Sequence, residues 1–323
     1  MNRELVSVVI LTYNSSKFII ETLESVRLQT HQNIELIISD DASKDNTLEL
    51  CEAWLAENAN RFARTLILRV PSNTGTSANY NRGLKEIKGE WVKYCAGDDA
   101  LLPNCLMDNL NFVAINPDAK VLFSYCRMYK NDFTEDCYAR LNPASSPKGI
   151  ISDAITAADQ YKLLLVCNRI PFTPSAFIHY ETHIKYGIID EKLHFSEDYQ
   201  LWLSFTKNGC KLYFMEKETM KYRMHEDSAS KQGREYIVNP IYYKTEPSIK
   251  ALSYPFLPWD LRGSKLHIWY VSKLFRNDFF NRKTKINSLL HYAFTRILNP
   301  FNYIIYIKSH YLKKYKNDLF YKN

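Results

Sequence analysis

The chain has 323 residues, of which 46% are hydrophobic, so it can bury the core of one large domain or of two. Its net charge of +7 is uneven. From Arg262 onward there are 13 Lys and Arg against 2 Asp and Glu, a net of +11, which leaves −4 on the rest. Seven cysteines without CxxC spacing argue against a disulfide framework or a zinc site and fit a reducing cytoplasm. No apolar run reaches 18 residues, so no membrane-spanning helix is expected.

Apolar strands and amphipathic helices alternate along the first 125 residues. The first apolar run, residues 5–11, is too short for a signal peptide and is typical of a strand buried on both faces. Helical spacing follows, and the same order repeats, with further strands predicted at residues 34–39, 65–70, 90–95 and 121–124. This alternation predicts an α/β fold whose mostly parallel sheet carries helices on both faces.

The pattern weakens between residues 129 and 150, where turn-forming pairs predict an irregular excursion or a flexible loop. A further helix is predicted from Glu197 to Lys207. After about Pro240 the composition becomes aromatic and basic. We therefore predict a body of residues 1–240, with halves of about 1–125 and 126–240, and a mainly helical C-terminal extension of residues 241–323.

Two acidic pairs, Asp40-Asp41 and Asp98-Asp99, each follow an apolar strand. The carboxyl ends of parallel strands are where open α/β sheets bind ligands, and carboxylates gathered there can hold a hard divalent cation. Taken alone, the first pair could form a turn and the second could cap a helix. Neither the P-loop nor the Rossmann glycine motif occurs, so any phosphates must be held by metal and side chains.

In their order and spacing, several segments resemble the family 2 glycosyltransferases, which have the GT-A fold. The match covers roughly residues 5–230 and rests on these runs: Val6–Asn14, Asp40–Asp45, Asn73–Gly75, Asn81–Gly83, Gly89–Val92, Gly97–Asp99, Phe195–Leu203 and Tyr222–Ser230. Many members have an acid where Ala96 stands and an arginine where Tyr80 stands. Some active members have a small residue at the position of Ala96, so this difference does not indicate loss of activity. The difference at Tyr80 leaves undecided which residues contact the sugar donor on that side.

The resemblance implies an inverting, metal-dependent transfer of a sugar from a nucleotide-sugar, with a UDP-sugar as the favoured donor. Residues 1–125 would be the donor-binding half and residues 126–240 the acceptor half. The implied donor contacts are Thr12, Tyr13, Asn14, Asp41, Asn81 and Asp98. Thr12 and Tyr13 would border the base, Asp41 would hydrogen-bond the uracil, and Asp98 would lie near the ribose and the metal.

The remaining implied roles concern the metal and the chemistry. Asp99 and His225 would contact Mn²⁺ or Mg²⁺, and Asp198 would be the catalytic base. A cation can neutralise the charge that develops on a diphosphate leaving group, and the acceptor hydroxyl needs a base on the opposite face of the sugar. Without the resemblance, Asp198 could merely favour the N-terminal dipole of its helix, and His225 could be a solvated histidine.

The extension interleaves aromatic residues with Lys and Arg. That mixture suits an anionic membrane surface, and it also suits nucleic acid, packing on the body or an oligomer contact. The resemblance implies a glycan acceptor in bacterial surface-polysaccharide assembly. A lipid-linked acceptor of that kind favours the membrane over nucleic acid, with the protein peripheral at the inner, cytoplasmic face of the cytoplasmic membrane.

Two other functions are weighed against this one. A receiver-type signalling domain also has acidic pairs at strand ends, but it needs only about 120 residues and would leave Asp198 and His225 without a role. A catalytically inactive homologue that binds a glycan or a nucleotide as a scaffold would be expected to lose the metal acids or the base. Asp99 and Asp198 are both present.

Overall fold

The computed structural model describes residues 4–193, 196–225 and 235–321. The chain divides into two compact units. The first comprises Met1–Gln160, Ile170–Glu191 and Glu197–His225, and the second comprises Tyr161–Arg169, Lys192–Ser196 and Glu226–Asn323. The domain boundary predicted from the sequence at residue 240 stays a prediction.

Four parallel strands form one half of the sheet of the first unit, in the order β3-β2-β1-β4. They are β1 (Val6–Thr12), β2 (Ile34–Asp40), β3 (Arg64–Leu68) and β4 (Trp91–Ala96). The connecting helices are α1 (Ile19–Arg27), α2 (Thr47–Asn58) and α3 (Thr76–Lys85). The predicted alternation of strands and helices is confirmed over this half.

β1 is buried on both faces, which explains its predominantly apolar sequence. Successive side chains of a strand alternate between the two faces of its sheet. Val8 and Ile10 accordingly lie in one core, together with apolar residues of α1 and α2. Val9 lies in a separate core with Leu84 of α3. The strand thus carries helices on both sides, as a buried parallel strand requires.

The other half of the sheet is mixed, in the order β8-β6-β9-β5 after β4. Its strands are β5 (Ala100–Leu101), β6 (Val121–Lys130), β7 (Tyr138–Asn142), β8 (Phe177–His179) and β9 (Leu212–Met224). Its helices are α4 (Cys105–Ile115), α6 (Tyr180–Tyr186) and α7 (Glu197–Lys207), whereas α5 (Ala157–Val166) contains residues of both units. β8 runs antiparallel to both β4 and β6, whereas β6 and β9 are parallel. The α/β class is confirmed, and the mostly parallel arrangement holds for the first half only.

The prediction of an irregular excursion from residue 129 was wrong over its first part. β6 continues to Lys130, and β7 pairs antiparallel with it, with Cys126 opposite Asn142. Most side chains of β7 are exposed, so the strand lacks the buried apolar residues by which a strand is recognised in sequence.

The second unit is mainly helical, as predicted for the extension. After residue 235 its helices are α8 (Pro240–Ser253), α9 (Trp259–Leu274), α10 (Asp278–Asn281), α11 (Lys285–Tyr292) and α12 (Pro300–Tyr311). Asp260 at the start of α9 is buried, and its carboxylate accepts hydrogen bonds from Lys308 at 2.9 Å and from the Tyr321 hydroxyl at 3.0 Å. These contacts fasten the last described residues to α9. Within the described ranges, no helix combines the length and the hydropathy needed to cross a membrane.

Candidate active site

The polar residues predicted at one edge of the sheet do lie at neighbouring strand ends. Thr12 ends β1 opposite Asp40, the last residue of β2. Leu11 of β1 lies opposite Ala96, the last residue of β4, and Gly97-Asp98-Asp99 follows directly. Ligands of open α/β sheets bind at this carboxyl edge.

The end of β1 and the loop after it contain three of the predicted donor contacts. Thr12 is buried, and its hydroxyl oxygen has no hydrogen-bond partner among the described residues. Asn14 accepts a hydrogen bond from the Lys44 N–H at 2.8 Å and donates its own N–H to Ser43 Oγ at 2.8 Å. Asn14 therefore ties this loop to the loop after β2. Tyr13 remains exposed at 42% and is the side chain that a planar base could contact.

Asp41 is buried, and its carboxylate already accepts several hydrogen bonds. The donors are the backbone N–H groups of Thr74 and Gly75, at 3.1 and 2.7 Å, and the Thr74 hydroxyl at 2.5 Å. Arg82 forms an ion pair with it at 3.2 Å. Asp41 thus fixes the turn before α3. The uracil contact predicted for Asp41 stays a prediction and requires one of these hydrogen bonds to be shared or replaced.

The two carboxylates of the acidic turn, residues 97–99, have different surroundings. The Asp98 side chain is 31% exposed, and its Oδ2 lies 2.9 Å from Nε2 of His225. Asp99 is buried, and its Oδ1 accepts a hydrogen bond from the Arg223 backbone N–H at 2.9 Å. Burial raises the pKa of Asp99 well above its usual value, and the neighbouring charge of Asp98 raises it further. The turn therefore offers one accessible carboxylate beside a buried one.

Arg223, near the end of β9, fixes this turn and was not predicted from the sequence. Its side chain is buried, and Nε donates to the Asp98 carbonyl at 2.8 Å. Its other nitrogens donate to the Asn131 carbonyl and to the Glu21 carboxylate. The guanidinium also lies over two aromatic rings, those of Phe18 and Phe133. The one sequence signal for Arg223 is its position two residues before the predicted histidine.

Asp198 lies in the first turn of α7, where the helix was predicted to begin. Its Oδ2 accepts from the Thr173 hydroxyl at 3.0 Å, and its Oδ1 accepts from the Tyr199 N–H at 2.8 Å. Burial raises the pKa of Asp198, although these hydrogen bonds oppose the change. Among the described residues, no hydrogen bond or ion pair joins Asp198 to the acidic turn. The predicted base and the predicted metal ligands are therefore on separate elements.

Asn81 and Tyr80 of α3 are both buried. Asn81 donates to the Ile189 carbonyl at 2.8 Å and accepts from the Ile189 N–H at 3.1 Å. The structure therefore shows that Asn81 anchors the backbone at Ile189. The contact of Asn81 with the sugar donor stays a prediction. Tyr80 stacks on Tyr94 with ring centroids 4.2 Å apart and hydrogen-bonds His183. An aromatic core thus occupies the position at which the resemblance implied an arginine in many family members.

The comparisons with known proteins decide the family. Residues 7–168, half of the chain, match the family model described as Glycosyl transferase family 2. The chain belongs to glycosyl transferase family 2. A relative of this family 2 glycosyltransferase is the Escherichia coli UDP-Glc:alpha-D-GlcNAc-diphosphoundecaprenol beta-1,3-glucosyltransferase WfaP. The two sequences are 30% identical over 227 residues, and the match covers 70% of this chain and 80% of WfaP.

Solved structures have the same fold as this family 2 glycosyltransferase. S. aureus TarS 1-349 in complex with UDP-GlcNAc matches with a TM-score of 0.57 at 17% identity, over 98% of this chain and 89% of that chain. The mannosyltransferase PcManGT from Pyrobaculum calidifontis, in complex with GDP-Man and Mn²⁺, matches with a TM-score of 0.50 at 16% identity, over 93% and 72%. The predicted family, GT-A fold and enzyme class are confirmed.

Proposed function

We propose that this glycosyltransferase transfers a sugar from a UDP-sugar to a hydroxyl of a lipid-linked glycan, with a divalent cation and with inversion at the anomeric carbon. The observation that carries the proposal is the pairing of Asp98 with His225 beside buried Asp99, at the carboxyl edge of the sheet. The relatives support the donor: WfaP uses a UDP-sugar, and TarS was solved with UDP-GlcNAc.

The acidic turn and His225 fit a divalent cation. Asp98 supplies an accessible oxygen beside an imidazole nitrogen, and the adjacent Asp99 adds a second carboxylate. A bound cation would offset the repulsion between these two carboxylates. The described residues contain no group of three or more His, Cys, Asp or Glu side chains able to hold a metal by themselves. Diphosphate oxygens and water would complete such a site, as is usual for Mg²⁺. When bound, Mn²⁺ or Mg²⁺ would neutralise the charge of the diphosphate leaving group.

Asp198 would act as the base. The acceptor oxygen attacks the anomeric carbon from the face opposite the diphosphate, Asp198 takes the hydroxyl proton, and the bond to the diphosphate oxygen breaks. One such displacement inverts the anomeric configuration. A carboxylate whose pKa burial has raised is a stronger base than an exposed one, which suits this role. Against the inactive-homologue alternative, the chain retains the residues that the proposal requires, namely the accessible Asp98, His225 and the buried carboxylate of Asp198.

UDP-sugars are expected to be the better donors, by about tenfold over the matching CDP-sugars, since uracil N3–H can donate to Asp41 and cytosine has no N–H at that position. Release of the nucleoside diphosphate from a panel of UDP- and CDP-sugars, with and without Mn²⁺, measures this preference. Equal rates for the two bases would remove Asp41 from base recognition. Absence of release from every donor would contradict the proposed activity itself.

The acceptor and the location are inferred from WfaP and from the second unit. The acceptor of WfaP is a GlcNAc linked through a diphosphate to undecaprenol, and this long isoprenoid is the lipid part. The second unit exposes large apolar side chains on α10 and α11, among them Phe279, Ile286 and Leu289, at 74%, 72% and 67%. Basic residues lie between them in the chain, at Arg282, Lys283 and Lys285. We place the protein at the inner face of the cytoplasmic membrane, in the assembly of a bacterial surface polysaccharide.

Vesicles containing phosphatidylglycerol are expected to sediment the protein at low salt, because each Lys or Arg near an anionic surface contributes about 1 kcal/mol. Binding should weaken as salt screens that attraction. The double variant Ile286→Glu, Leu289→Glu should reduce binding by about tenfold or more, because two side chains lose their apolar contact. Point variants are preferable to deletion from Arg262, which would cut through α9.

Ile115→Glu is the matched control, since Ile115 is 81% exposed on α4 in the first unit. It should leave vesicle binding unchanged. If the double variant binds as the parent does, or if the parent stays in the supernatant at low salt, these apolar residues instead serve an oligomer or another protein contact. Light scattering at several protein concentrations separates those two outcomes.

A further inference from the structure

Three groups form a chain of hydrogen bonds that ends on the proposed base. The Trp202 Nε1–H donates to Thr173 Oγ1 at 3.2 Å. The Thr173 hydroxyl in turn lies 3.0 Å from Asp198 Oδ2 and 3.1 Å from the Ile170 carbonyl oxygen. Trp202 follows Asp198 by about one turn of α7 and is fully buried.

The direction of each hydrogen bond is fixed by the chemistry of the groups. An indole N–H can only donate, so the Thr173 oxygen accepts from Trp202 through one of its lone pairs. The single hydroxyl hydrogen of Thr173 then has two acceptors within reach, one charged and one neutral. A hydrogen bond to an ionised carboxylate is roughly twice as strong as one to a neutral acceptor. The hydrogen therefore points to Asp198 while that group is ionised and can turn to Ile170 once it is protonated.

The turn that carries Thr173, residues 173–175, is held in place by Lys93 of β4, by Ser124 of β6 and by a local hydrogen bond to the residue before it. Lys93, fully buried in β4, donates from Nζ to the Pro174 carbonyl at 2.6 Å. Ser175 Oγ accepts from the Ser124 N–H at 3.0 Å and donates to the Phe172 carbonyl at 2.7 Å. The backbone of this turn is therefore held, and the Thr173 hydroxyl can rotate between its two acceptors.

We propose that Thr173 is a positioning residue whose hydroxyl follows the proton of Asp198, donating to the ionised base before transfer and to the Ile170 carbonyl after it, with Trp202 holding the hydroxyl oxygen. The inference rests on the proposed role of Asp198. It adds a means of keeping Asp198 Oδ2 in one orientation while its charge changes, without a second ionisable group. The other acid beside it, Glu197, accepts a hydrogen bond from Ser77 at 3.1 Å, and the described residues pair no basic side chain with Asp198.

The test compares Thr173→Val, which has nearly the same shape but no hydroxyl, with Thr173→Ser, which keeps it. The rate of transfer at saturating donor and acceptor is measured against pH. Thr173→Val should lower kcat by about 10- to 100-fold, because the base loses its orientation. The acid limb of its profile should move to higher pH by about one unit, since the lost hydrogen bond favoured the ionised form. Thr173→Ser should keep both the kcat of the parent and the pH of its acid limb.

Two further variants make the result decisive. Trp202→Phe removes the indole N–H donor, together with part of a buried ring, and should give a smaller loss of kcat in the same direction. Asp198→Asn separates the inference from the function on which it rests: if that change leaves transfer intact, Asp198 is not the base. If Asp198→Asn abolishes transfer but Thr173→Val and Thr173→Ser share the parent's acid limb, the positioning role is overturned. Should Thr173→Val not fold, Thr173→Ala carries the same prediction.

Discussion

Replacing Asp198 by asparagine is expected to slow sugar transfer by about 10²- to 10⁴-fold, the usual range for loss of a general base. Asparagine can keep the oxygen that accepts from the Tyr199 N–H, and its NH₂ group can then face Thr173 while the Thr173 hydroxyl donates to the Ile170 carbonyl, so the start of α7 should stay folded. Donor affinity should change little, because the proposed donor contacts lie on other elements. Initial rates of transfer and calorimetric titration with UDP measure the two effects separately.

Glu197→Gln is the control for the Asp198 variant. It neutralises the neighbouring acid and keeps an oxygen for the hydrogen bond from Ser77. Its rate should stay near that of the parent. NMR of the parent's product should show the anomeric configuration opposite to that of the donor. Retention of configuration would contradict the single displacement, and a rapid Asp198→Asn variant would remove Asp198 from the chemistry.

Neutralising either acid of the turn is expected to abolish transfer and to weaken UDP binding in the presence of Mn²⁺. Asp98→Asn removes the accessible charge beside His225. Asp99→Asn removes the buried charge but keeps an oxygen for the Arg223 N–H, so the turn can remain intact. Because the cation joins the protein to the diphosphate, both variants should bind UDP as weakly as the parent does in EDTA. Calorimetry with and without Mn²⁺ gives the comparison.

Asp108→Asn is the matched control for the two acids of the turn. Asp108 lies on α4 and pairs with Lys217, and among the described residues no hydrogen bond or ion pair joins it to the acidic turn, so its loss should leave the effect of Mn²⁺ on UDP affinity unchanged. A parent protein whose UDP affinity is the same in Mn²⁺ and in EDTA would contradict metal dependence. If Asp98→Asn is impaired and Asp99→Asn is not, the accessible acid alone holds the cation, and Asp99 serves to fix the turn.

The parts of the fold that could be predicted are those with strong local periodicity. β1 and β2 are predominantly apolar because helices cover both faces of the sheet, and helix α7 begins and ends at the predicted residues. The acidic turn could be located because Asp98 and Asp99 follow such a strand directly. The family resemblance then supplied chemical roles that periodicity alone does not contain.

The parts that could not be predicted depend on contacts between residues far apart in the chain. β7 is an exposed strand whose pairing with β6 leaves little mark on its own residues. Lys93 is a charged residue in the middle of a buried strand, and its partner is a backbone carbonyl, which has no sequence signature. Arg223 likewise has partners from three other segments of the chain. Sequence reasoning also assigned Asn81 to the donor without revealing that it anchors the loop at Ile189.

The contacts of Arg223 also bear on the order in which the protein becomes functional during synthesis. Asp99 receives its hydrogen bond from a residue that lies 124 positions later in the chain. At about 5–20 residues per second, the ribosome needs about 6 to 25 s to make that interval. The strands of the parallel half can pair in the meantime, but the acidic turn between them stays without its backbone donor and without the guanidinium that holds its carbonyl. A nascent chain that ends before β9 therefore has most of its donor-side sheet but lacks the hydrogen bonds that Arg223 gives to its proposed metal-binding turn.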